Sequence, residues 1–74
     1  MNWSIPKSKL ALARLVQGKS QTQVSVAADV SCPTLSAAEN LIKIPSERVR
    51  NKLAKYYART WEDLYKPVNL ADLL

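Results

Sequence analysis

Apolar positions along this chain recur at helical spacing, in short runs separated by polar or proline-containing breaks, and no stretch shows strand-like alternation. Residues 7–17 are rich in Leu, Ala and Arg, strong helix formers, and Gly18 supplies a helix stop. Ser20 offers an N-cap side chain to a second segment, 21–28, with Val24 and Ala28 facing inward. Asp29 falls where a tight turn is needed, and Asp tolerates left-handed backbone better than most residues. Ser31 is the next candidate N-cap, opening a third helix over 32–40 with Pro33 in its first turn, where a missing N–H costs nothing. Ile44-Pro45-Ser46 breaks the pattern and caps a fourth helix at about 47–58, whose apolar stripe is Val49, Leu53 and Tyr56. Thr60-Trp61-Glu62-Asp63 has the form of a capping box and opens a short fifth helix running to Tyr65, which Pro67 ends. Tyr56, Tyr57, Trp61 and Tyr65 are placed to close a core around the last two helices. The pattern predicts an all-α domain of four to five helices.

Charge changes this picture by its distribution. The net charge of +5 is uneven: no Lys or Arg lies between Lys19 and Lys43, a stretch that carries Asp29 and Glu39. Lys43, Arg48, Arg50, Lys52, Lys55 and Arg59 then follow against Glu47 alone. On a helix, Arg48, Lys52, Lys55 and Arg59 fall on one stripe, clear of the apolar one. A basic stripe with so few acids among its members suits phosphate. A weaker basic group, Lys7, Lys9, Arg14 and Lys19, sits near the N-terminus.

Length and composition narrow the remaining chemistry. Seventy-four residues make one domain, 1–74, with a stability margin on the order of 3–5 kcal/mol. Cys32 is the only cysteine and there is no His, so neither a disulfide within the chain nor a structural zinc site can be assembled. Without His, the usual general base near neutral pH is missing, and a single Gly excludes a glycine-rich phosphate loop. The expectation is a protein that is not an enzyme and needs no cofactor or metal. No apolar run approaches the ~20 residues of a membrane span, and no secretory signal is visible, so a cytoplasmic location with no membrane partner is expected. Cys32 as a small residue that fits its place needs no redox role.

Two short helices joined by a tight turn form a helix-turn-helix. Here the chain resembles the Cro/repressor (Xre-like) family of phage and bacterial regulators. The resemblance is carried by Arg14, Gly18, Ser20-Gln21, Val24, Ala28, Val30-Ser31, Thr34-Leu35-Ser36, Glu39-Asn40, Pro45-Ser46, Leu53-Ala54 and Asp63-Leu64. It spans about residues 9–65 and leaves 66–74 as a tail; Trp3 lies outside it. It implies a compact lambda-repressor-like helix-turn-helix domain. It also implies roles: Gln21 beside a phosphate at the start of the second helix, and Arg14 with Glu39 as an internal ion pair. Asn40 and Lys43 would lie along the DNA backbone, extended by Arg48 or Arg50. Base reading would fall to Cys32, Pro33, Ser36 and Ala37.

At two places the sequence departs from the family pattern. None of those four reading positions is Arg, Lys, Asn or Gln, the side chains that discriminate purines best. Leu41 stands where the family tends to place Gly. Two functions therefore compete. One is a small transcriptional regulator, of phage or mobile-element type, binding double-stranded operator DNA as a dimer through Val68, Leu70, Leu73 and Leu74. The other is a helix-turn-helix protein whose third helix docks on protein instead, as an antirepressor on a repressor's DNA-binding domain or as an antitoxin on its toxin.

Overall fold

In the computed structural model, which describes residues 6–69, five helices follow one another: α1 (Lys9–Val16), α2 (Gln21–Ala28), α3 (Cys32–Glu39), α4 (Glu47–Tyr57) and α5 (Trp61–Leu64). No strand appears among the described residues. Four fully buried leucines, Leu10, Leu35, Leu53 and Leu64, come one each from α1, α3, α4 and α5. Each such burial stabilises by roughly 1.5–3 kcal/mol. From α2 come the smaller Val24 and Ala28, which let that helix approach α3 and α4 closely. Ala38, Val30 and Tyr57 complete the same buried cluster, and the partly buried Tyr56 and Trp61 pack against it.

Caps place the helices. Ser20 and Gln23 form a reciprocal capping box at the start of α2: the Ser20 hydroxyl accepts from the Gln23 N–H, and the Gln23 side chain accepts from the Ser20 N–H. Ser46 and Thr60 accept from the N–H groups of Val49 and Asp63. Ser31 departs from expectation, because its hydroxyl donates to the Thr34 hydroxyl at 2.7 Å and takes no backbone N–H.

The helix ends share one device. Gly18, Asp29, Leu41 and Ala58 all have positive φ, between 55° and 69°. At Leu41 the turn is a Schellman cap, with the Leu41 N–H donating to the Ala38 carbonyl and the Ile42 N–H to the Ala37 carbonyl. Leu41 thus adopts the left-handed backbone that a Gly would adopt, and the departure in sequence is no departure in backbone.

The two ends of the described chain meet. Lys9 donates its N–H to the Lys66 carbonyl and Val68 donates to Lys7, an antiparallel bridge pairing Ser8 with Pro67. Val68 is half-buried there, whereas Leu70, Leu73 and Leu74, expected with it as a dimer surface, lie outside the described residues, as does Trp3. No helix among the described residues is long and apolar enough to cross a membrane.

Candidate nucleic-acid interface

The position of α3 is fixed from both ends. At its start, Asp29 turns the chain in the left-handed conformation (φ 58°, ψ 53°), and Val30 drops into the core. The Ser25 hydroxyl donates to the Val30 carbonyl at 2.5 Å, and Lys52 Nζ on α4 donates to both the carbonyl and the carboxylate of Asp29, each at 2.9 Å. At its end, Glu39 is 2% exposed and joins three parts of the fold. Its carboxylate accepts from Arg14 Nε at 2.8 Å and from Gln21 Nε2 at 2.9 Å, while its carbonyl accepts the Ser8 hydroxyl at 2.6 Å. Arg14 also reaches the Lys19 carbonyl at 2.9 Å. Helices α1, α2 and α3 are therefore tied at one buried carboxylate.

That tie decides what Gln21 can offer. Its side-chain amide is turned inward onto Glu39, which leaves the backbone N–H groups of the α2 start as its route to an anion. Asn40 is engaged likewise. Its amide donates back to the Ser36 carbonyl at 3.0 Å and lies 3.4 Å from the Ser36 hydroxyl, fastening the end of α3. On the outer face of α3, Pro33 is exposed and Cys32, Ser36 and Ala37 are half-exposed, whereas Leu35, Ala38 and Glu39 face the core. The four positions expected to read bases do lie outward together, and they carry no charge.

The expected basic stripe is both shortened and divided: α4 ends at Tyr57 and Ala58 turns left-handed, so Arg59 lies beyond the helix and not in line with Arg48, Lys52 and Lys55. Lys52 is committed to Asp29, and Arg59 Nε lies 2.6 Å from Asp63 Oδ2. Both carboxylates are held below the usual range, chiefly by these hydrogen bonds and then by the cation's charge. Lys43, Arg48 and Lys55 are exposed and Arg50 half-exposed, and none of them forms an ion pair among the described residues. The cations nearest α3 in the chain that form no ion pair among the described residues are thus Lys43, Arg48 and Arg50, on the 40–46 connection and the first turn of α4. Arg48 lies close enough to Asp29 for its charge to help lower that carboxyl.

Between α3 and the start of α4 lies an open groove of about 420 Å³, lined by Pro33, Thr34, Ala37, Lys43, Ile44, Pro45, Ser46 and Val49. Ile44 on its wall is 56% exposed and Ile42 beside it 75%. No Asp or Glu lines it, and Lys43 carries its one charge. The isoleucines went unnoticed in the sequence because Ile44-Pro45-Ser46 reads as a helix break. The apolar run Leu41-Ile42, with Ile44 beyond Lys43, was the available signal. Ser8 was missed too, since a serine inside an apparent helical segment gives no sign that it caps α1 while reaching Glu39. Among the described residues no three His, Cys, Asp or Glu side chains gather to hold a metal ion. No protein-family model, curated protein or solved structure matches the chain.

Proposed function

We propose that the chain is a helix-turn-helix regulator that binds duplex DNA, laying the outer face of α3 against the major groove and holding the flanking phosphates with Lys43, Arg48 and Arg50. The observation that carries this reading is an uncharged, outward α3 face with Lys43 on the groove against it and Arg48 and Arg50 next in the chain, none of the three in an ion pair among the described residues. Phosphate contacts set affinity and register, and contacts to base edges set specificity. The N–H groups at the start of α2 add a further anion contact. Control of transcription follows from occupancy of the operator.

Salt dependence tests it. Each phosphate neutralised contributes about −0.9 to the slope of log K against log salt. With three cations engaged, a slope near −3 or steeper is expected, and Lys43→Ala, Arg48→Ala or Arg50→Ala should each flatten it by about 1 while weakening all sequences alike. Folded protein that retains no DNA at about 50 mM salt overturns the reading and leaves the α3 face to the protein-docking alternative.

A further inference from the structure

We propose that this face reads DNA through the 5-methyl groups of pyrimidines, taking thymine and 5-methylcytosine alike, with the contact made by Pro33, Ala37 and Ile44; this rests on the DNA-binding reading above. The first ground is that the amide side chains around α3 are engaged within the fold and the hydroxyls there offer only single contacts. Thr34 takes the Ser31 hydroxyl, the Asn40 amide is folded back onto Ser36, and the Gln21 amide is held by Glu39. Thr34, which only accepts from Ser31, and Ser36 each retain a hydroxyl proton, but a single hydroxyl serves either base of a pair and discriminates little. No bidentate reader of guanine or adenine is left.

The second ground is the apolar surface that remains. Exposed Pro33 and, one turn on, Ala37 form one wall of the groove, and Ile44 with Val49 forms the other. Lys43 stands on the same groove, where it can hold a phosphate while the apolar walls meet the base edge. In the major groove the C5 methyl is the one apolar mark on a base pair, and small apolar side chains recognise it by contact. Cytosine methylated at C5 presents the same group, so methylation of a G·C-rich site would raise affinity where a hydrogen-bonding reader would be indifferent.

The test measures binding by fluorescence anisotropy at one low salt concentration, using an alternating dA-dT duplex and its dA-dU counterpart, and a G·C-rich duplex with and without 5-methylcytosine. A buried methyl group is worth about fourfold in affinity. Thymine should therefore be preferred to uracil by about fourfold or more, and methylated to unmethylated cytosine in the same sense. Ile44→Ser and Pro33→Ser, both at exposed positions and checked for fold by circular dichroism, should bring the two ratios toward one. Firm binding of all four duplexes with ratios near one overturns the methyl reading and leaves phosphate binding standing. A thymine preference unchanged in both variants assigns it to duplex shape and also overturns the proposal. No binding to any duplex overturns the DNA-binding reading itself.

Discussion

Tyr57 carries a hydroxyl that is buried without a hydrogen-bond partner among the described residues. Burial, and after it the nearby charge of Glu39, raises its pKa above the ordinary phenol value near 10. The neutral phenol is thus the form the fold accepts. The corresponding stability is intact below pH ~10 and is lost as pH rises beyond it, because the unfolded chain ionises first. Tyr57→Phe removes an unsatisfied buried group, so it is expected to stabilise the protein by about 1 kcal/mol or less and to abolish this part of the alkaline loss. Thermal melts at neutral pH and above pH 10 check both. Asp29 behaves in the opposite sense. Its carboxyl is lowered by the Lys52 hydrogen bond first and its charge second, so the pairing contributes above the usual carboxylate pKa and fades as pH falls. Lys52→Met should return the Asp29 titration, followed by NMR, toward the ordinary value near 3.9.

At the scale of the elements, the described residues include four in left-handed conformation at helix ends, and the chain owns one glycine. An L-residue in that conformation costs about 1–2 kcal/mol, and glycine escapes most of this at some entropic cost. Ala58 is exposed, so Ala58→Gly is expected to raise stability by about 0.5–1 kcal/mol in a denaturant titration. Leu41→Gly should gain less, because the half-buried Leu41 side chain is lost with the strain. Helix count and order are legible in the sequence because caps are local: Ser20, Ser46 and Thr60 each accept an N–H three residues on. What escapes is non-local or a matter of rotamer. The Ser8–Pro67 bridge joins two segments far apart in sequence that no periodicity relates, and Ser31 chooses the Thr34 hydroxyl over the backbone.

Across the whole molecule, Glu39 does more than any local pattern reveals. Its partner Arg14 is the one the family resemblance suggests, but Gln21 and Ser8 converge on the same residue only once α1, α2 and α3 are packed. That is why Gln21, expected to face a phosphate, has its amide inside. The tie also makes a strong demand on stability. Breaking a buried pair by removing one partner costs roughly 3–5 kcal/mol, because a charge is left desolvated, and a domain of this size holds about that much in total. Arg14→Ala is therefore expected to leave the protein largely unfolded near 25 °C. The pair itself contributes little net stability, since desolvation of both charges offsets most of their attraction. Arg14→Met combined with Glu39→Leu should accordingly melt well above Arg14→Ala alone, with the Gln21 amide turning out to solvent. A double-mutant cycle by thermal melting measures this, and a double variant no more stable than the single one would mean that the three-helix junction depends on the charges themselves.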